Sequence, residues 1–216
     1  LLGMVPPLRG VLRGLDLRSG DWMLRVSRGL EVRDDFVFLG IDEQSMSLSH
    51  LDPELVAEVP ELAMMRARFP WDRRVWAAAI DRLADAGARL VIIDLVMAEA
   101  TEPEADEALV AAVLRHQDRV LLVSNLAPVG EQGFMLVEPM AELFGDGEVE
   151  TACGYANFRP DLVDGLVRNA IYQTTLSEEN GRLRQPGETE FPSLAAEAIR
   201  MLGGEAPRGS REILWG

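Results

Sequence analysis

Apolar positions recur along the chain in two rhythms. Residues 36–41 (FVFLGI), 90–96 (LVIIDLV) and 120–123 (VLLV) are nearly continuous apolar runs. Such runs predict strands covered on both faces, because a half-exposed strand alternates apolar with polar positions. Between them the spacing becomes helical. Trp76, Ile80 and Leu83 share one face of a helix that begins after Asp72, a good N-cap, and stops at Gly87, where a C-terminal glycine belongs. Trp71 and Trp76 are spaced to pack across the helix start. Pro103 opens a second helix, with Glu104, Asp106 and Glu107 in its first turn and Leu109, Val110, Val113 and Leu114 on its buried face. Residues 36–126 thus predict strand, helix, strand, helix, strand, the order of parallel strands joined by right-handed crossovers.

Asp42, just past the first run, is placed to cap a brief helix through Met46. Residues 49–69, with Pro53 and Pro60, read as an insertion carrying some helix. The second half changes character. Residues 134–137 and 154–158 are strand candidates, residues 139–144 a short helix, and residues 160–165 (PDLVDG) a turn leading into a longer strand over 166–176. Asn180-Gly181 is a turn signal. Pro192 starts a last helix, with Leu194, Ala198, Ile199 and Leu202 inward and Gly203 at its end. Residues 8–30 mix Leu, Val and Trp with Arg at roughly helical spacing and read as two short helices. The fold expected is α/β: a mixed sheet with a parallel βαβαβ half and an antiparallel extension, flanked by helices and preceded by an N-terminal helical neck. Residues 1–30 form that neck and residues 31–216 a single α/β domain.

Charge modifies this picture. The chain has 216 residues, 48% of them hydrophobic, so it can build a core. Its net charge is −15, and all 21 of its basic Lys+Arg residues are Arg. So acidic a surface argues against nucleic acid as a partner. Residues 1–33 hold six Arg against Asp16, Asp21 and Glu31, a balance of +3, which leaves −18 for the remainder. A basic lead-in to an acidic body fits a membrane-side neck, and equally a solvated amphipathic helix. No run of about 18 apolar residues is present to span a bilayer. Cys153 is the only cysteine, which excludes an internal disulfide and a thiolate metal cage. The chain starts Leu-Leu-Gly-Met-Val, so we expect a piece of a longer protein.

The search for chemistry finds little. There is no P-loop, no G-x-G-x-x-G and no G-x-S-x-G. His50 and His116 are far apart and lack partners at ligand spacing. The enzymatic candidate is Asp42 with Asp94: both fall near the carboxyl ends of predicted parallel strands, where open α/β sheets bind ligands, and two converging carboxylates could hold Mg²⁺ for hydrolysis. The competing reading makes both acids caps or structural hydrogen-bond acceptors. Asn157, Asp161 and Asp164 before Gly165 offer oxygens to Ca²⁺, or build an ordinary Asx-type turn. Arg73 and Arg74 oppose the dipole at a helix start, so at least one should pair with an acid or meet an anion.

Several pieces then recur in one order: Ile41-Asp42-Glu43, Pro70-Trp71, Ala86-Gly87-Ala88 leading to Ile93-Asp94, Asp106 and Leu109, Gly154-Tyr155-Ala156-Asn157, Pro160-Asp161, Asp164-Gly165, Arg168, and Pro192-Ser193-Leu194-Ala195. The series, over about residues 31–203, resembles the CHASE type-2 sensor, an extracytoplasmic (periplasmic) input domain of bacterial membrane receptors. The chain departs from the pattern in a longer segment between Asp42 and Phe69, in Leu162 and Val163 separating Asp161 from Asp164, and in Asn169 after Arg168. The resemblance implies a transmembrane helix before this stretch, usually three after it, and a cytoplasmic adenylate or guanylate cyclase, histidine kinase, Ser/Thr kinase or diguanylate cyclase as output. It supplies no catalytic residues, no metal and no cofactor. The expectation is a noncatalytic sensor of a small-molecule or protein signal, with candidate ligand-binding residues Asp42, Asp94, Ser124, Asn125, Asn157, Arg73 and Arg74. A metal-dependent hydrolase using Asp42 and Asp94, and a structural homodimer paired through residues 8–30, are the alternatives.

Overall fold

The structure, a computed structural model, describes residues 34–130, 133–147, 149–161 and 164–212. The predicted neck at residues 1–30 lies outside the described residues. Two compact units result. One comprises Gly40–Asn157 and Ile171–Ser210; of the other, residues 34–39, 158–161, 164–170 and 211–212 are described.

In chain order the elements are α1 (Glu43–Ser47), α2 (Pro53–Glu58), α3 (Pro60–Met65), α4 (Arg73–Asp85), β1 (Val91–Ile92), α5 (Pro103–Arg115), β2 (Val120–Pro128), β3 (Phe134–Val137), a 3₁₀ turn (Ala141–Leu143) and β4 (Ala152–Tyr155). They are followed by β5 (Asn169–Ile171), β6 (Gln173–Thr174), α6 (Leu176–Glu179), β7 (Phe191–Pro192), α7 (Leu194–Met201) and β8 (Ser210–Glu212).

The helix signals act as expected. Asp72 accepts from the Arg74 backbone N–H at 2.9 Å and caps α4. Trp71 stacks on Trp76 with centroids 5.5 Å apart, and Phe69 meets Trp71 edge-on at the same separation. α4 closes on Gly87 at φ 88°, a left-handed angle that side chains resist; the Gly87 N–H donates to Ala84 O and the Ala88 N–H to Leu83 O, satisfying its last carbonyls.

β2 is the hub of the sheet. β1 runs parallel to it, Val91 opposite Val120, and β4 runs parallel along its other edge, Leu121 opposite Ala152. β3 continues antiparallel on its distal half, from Asn125 opposite Val137 to Pro128 opposite Phe134. The sheet is therefore mixed, as expected. Alternation along β1 and β2 sends Val91, Val120 and Leu122 to one face, where they join Ile80 of α4 and Leu109, Ala112 and Val113 of α5 in the core. Leu121 and Val123 fill the opposite face, on which α7 packs. That approach is close: a Cβ on Gly154 would stand 2.7 Å from the Leu194 Cα, so only glycine fits. β6 and β7 form a small antiparallel pair, and β5 pairs with β8.

Several expected strands come out differently: the run 90–96 keeps only Val91–Ile92 as strand, and the 154–158 candidate is displaced to Ala152–Tyr155. The predicted strand over 166–176 is divided into β5, β6 and the start of α6. Thr175 ends it, because Thr175 and Glu178 form a reciprocal capping box that commits the chain to a helix. The larger correction concerns residues 36–41. They form no strand, and Phe36, Val37, Phe38 and Leu39 are 67%, 76%, 80% and 67% exposed. A run that is apolar on both faces needs a neighbouring strand and two covering layers, and no described residue supplies a strand partner. The next acid does what was expected of it: the Asp42 carboxylate accepts from the Ser45 N–H and Oγ–H, both at 2.8 Å, and caps α1.

Candidate functional site at the strand ends

α4 and α5 point their N-termini toward the end of the sheet where β1 finishes, and the loop of residues 93–102 crosses between them. The two arginines that oppose the α4 dipole are both paired. Arg74 grips Asp72 through Nε and Nη2, at 2.9 and 2.7 Å, and reaches Glu102 at 3.0 Å. The guanidinium beside Asp72 holds that carboxyl below its ordinary range. Arg73 donates to the Glu99 carbonyl at 3.0 Å, and its Nε stands 3.5 Å from the carboxylate of Asp106. Asp106 is buried and accepts from the Thr101 N–H at 2.6 Å and the Thr101 Oγ–H at 2.8 Å. The loop after β1 is thus fastened by charge to the first turns of two helices. From the sequence Asp106 reads only as an acid suited to a helix start, and Glu102 is not singled out; the signal of their role is the pair of dipole-opposing arginines facing them.

The remaining candidates divide cleanly. Asn157 spends its amide on one backbone residue: Oδ1 accepts from the Leu126 N–H at 2.7 Å and Nδ2 donates to the Leu126 carbonyl at 2.9 Å. It imitates a strand neighbour where β4 has ended. Ser124 is buried, and its side chain is hydrogen-bonded to Cys153, whose thiol burial pushes up to about 11. Asp42 belongs to the α1 cap. Asp94 and Asn125 are exposed, and their side chains hold no hydrogen bond among the described residues. Extending the β1–β2 register by alternation puts both on the face that carries α7, at the carboxyl ends of their strands.

In the other unit, Asp164 is taken by Arg168 in a two-point pair at 2.8 and 2.7 Å, with Arg168 buried. Asn157 and Asp164 are therefore both occupied by protein partners. Among the described residues no group of three or more His, Cys, Asp or Glu could hold a metal ion. His116 lies at the end of α5, 2.9 Å from Asp81 of α4, which Arg115 also contacts. Burial works to raise Asp81, but Arg115 and His116 outweigh it and hold the carboxyl low. A shallow concavity of about 440 Å³ lies at the opposite end of the sheet, lined by Gly87, Arg89, Asp118, Arg119 and Leu202. It collects the carboxyl ends of α4, α5 and α7, and its arginines suit those dipole ends.

The charged groups of this α/β domain thus fasten its own loops and caps. The CHASE2 domain family matches residues 1–212, and the chain belongs to it: an extracellular sensory domain family of signalling receptors. No curated protein and no solved structure matches the chain. Among the described residues no helix is long and apolar enough to cross a membrane.

Proposed function

We propose that this domain detects a small-molecule or protein signal at the rim carrying Asp94 and Asn125, and passes it without catalysis to a cytoplasmic cyclase or kinase. The domain then sits on the periplasmic side of a membrane-anchored receptor. One observation carries the choice of rim: of the seven candidate residues, Asp42, Arg73, Arg74, Ser124 and Asn157 are engaged in caps, ion pairs or buried bonds, whereas Asp94 and Asn125 project unengaged from neighbouring strands. Open α/β sheets bind ligands at that end. The loop beside them is held to α4 and α5 by ion pairs, so a ligand with unequal affinity for two settings of that loop would bias both helices.

The test joins two measurements. A thermal-shift screen of a metabolite library on the wild-type domain should find compounds that raise its melting temperature. Asp94→Ala with Asn125→Ala should abolish that shift and leave the unliganded melting temperature unchanged. In a receptor carrying its output domain, the same pair should move the dose response at least about tenfold, roughly 1.4 kcal/mol of binding. A full response in the double variant would refute this rim as the site.

A further inference from the structure

The four asparagines of the chain are followed by Leu126, Phe158, Ala170 and Gly181. Asn180 is thus the one whose next residue has no side chain to hinder its backbone nitrogen. Asn180-Gly181 ends α6, as a turn signal should, but Asn180 also holds a distant strand. β2 and β3 run on past β1 and β4 as a two-stranded arm, residues 125–128 against 134–137. The Asn180 amide clasps that arm. Its Oδ1 accepts from the Phe134 N–H at 2.9 Å, and its Nδ2 donates to the Leu176 carbonyl at 2.7 Å. The niche is shaped to it: Gly133 has φ 102°, and a Cβ there would collide with Asn180 Oδ1. Every part of the clasp belongs to the same compact unit.

The clasp immobilises both partners of a reaction open to an asparagine before glycine. The Gly181 backbone nitrogen attacks Asn180 Cγ and a C–N bond forms. The side-chain nitrogen takes the Gly181 N–H proton and leaves as ammonia, and a succinimide ring remains. Water then opens one ring C–N bond to give aspartate or isoaspartate, with no oxidant or reductant. In the folded domain the Gly181 N–H donates to Glu178 O at 3.1 Å, and the Arg182 N–H to Ser177 O at 2.8 Å. Asn180 sits at φ −84°, ψ 13°, which turns the Gly181 nitrogen away from Cγ. We propose that Asn180 is a modification site controlled by the arm: protected while its amide clasps β3, and deamidated when the arm lets go. The native rate is then the unclasped rate scaled by the open fraction. The products cannot clasp again in the same way. A carboxylate offers the Leu176 carbonyl an oxygen in place of an N–H, and isoaspartate lengthens the main chain at the turn. Arm opening is thereby recorded covalently. Nothing in this requires a ligand at the rim.

The experiment incubates the whole 216-residue chain at mildly alkaline pH, native and in denaturing urea, and follows each asparagine by peptide mass spectrometry. In urea Asn180 should convert fastest. In the native protein it should convert at least about tenfold more slowly, because attack waits on opening. Gly133→Ala drives a methyl into the Asn180 amide and should bring the native rate to within about threefold of the urea rate, with circular dichroism showing that the variant is folded. Should Gly133→Ala not fold, the wild-type Phe134 amide carries the test: sub-denaturing urea that speeds its hydrogen exchange should speed conversion of Asn180 in proportion. An Asn180 that is unreactive in urea, native conversion as fast as unfolded, a folded Gly133→Ala as protected as the wild type, or conversion that does not follow Phe134 exchange would each overturn the proposal.

Discussion

Residues 36–41 and residues 120–123 are close to interchangeable as sequence: both are short, apolar and rich in branched or aromatic side chains. Their fates are opposite. Val120, Leu121, Leu122 and Val123 are buried to within 3% of complete, whereas Phe38 is 80% exposed. The second run has a strand on each side, β1 and β4, and helices on both faces; the first has none of these among the described residues. Apolar continuity states what a segment needs. Whether it is supplied depends on which other segments arrive at the same place.

The most forceful way to break this comparison is truncation. Leu109 lies fully buried between α5 and the sheet, and Leu109→Ala should cost about 2–5 kcal/mol in urea unfolding, through lost transfer energy and the cavity left behind. Leu39→Ala, at an exposed position, should change stability by less than about 0.5 kcal/mol. Equal losses would mean that residues 36–41 are covered in solution.

A smaller effect sharpens the contrast at the fastened loop. Asp106→Ala removes the acceptor of both Thr101 bonds and the acid beside Arg73, and should cost about 1–3 kcal/mol by the same unfolding assay. Hydrogen exchange at Thr101 should quicken with it, while amides of residues 36–41 should already exchange fast in both proteins. If Thr101 kept its protection, the loop would be held by something other than that carboxylate.

The smallest effect is in pH. Asp72 is held below the ordinary carboxyl range by Arg74. A carboxyl whose folded pKa lies below its unfolded value of about 3.9 contributes stability that is complete above that value and is lost as pH falls through the folded pKa. Acid unfolding curves of the wild type should therefore fall off below about pH 4, and Asp72→Asn should make that limb shallower with little change near pH 7 beyond the loss of its pair with Arg74. An unchanged acid limb would show that the pair is too well solvated to matter.

Much of the fold could be read directly. The extents of α4 and α5, the Asp72 and Asp42 caps, the Trp71–Trp76 contact and the Gly87 stop are all consequences of neighbours in sequence, and local patterns report them. The site was legible in outline only. Dipole-opposing arginines announced that at least one of Arg73 and Arg74 would pair with an acid or meet an anion; Asp72 is a near neighbour of Arg74, but the other acids they meet, Glu102 and Asp106, lie some 30 residues along the chain. Asn157 offered no local hint that its amide would replace a strand neighbour for Leu126, because that role exists only where β2 outruns β4.

By itself, then, the sequence determined the alternation of helix and apolar run, the places where helices begin and end, the α/β class, and the order of motifs that marks a CHASE2 domain. Tertiary structure alone decided which apolar runs became strands, which acids were consumed by arginines, and which two of seven polar candidates were left facing water. The reason is physical: capping and periodicity act over a few residues, whereas strand pairing and charge neutralisation join groups that are distant in the chain and meet only once it has folded.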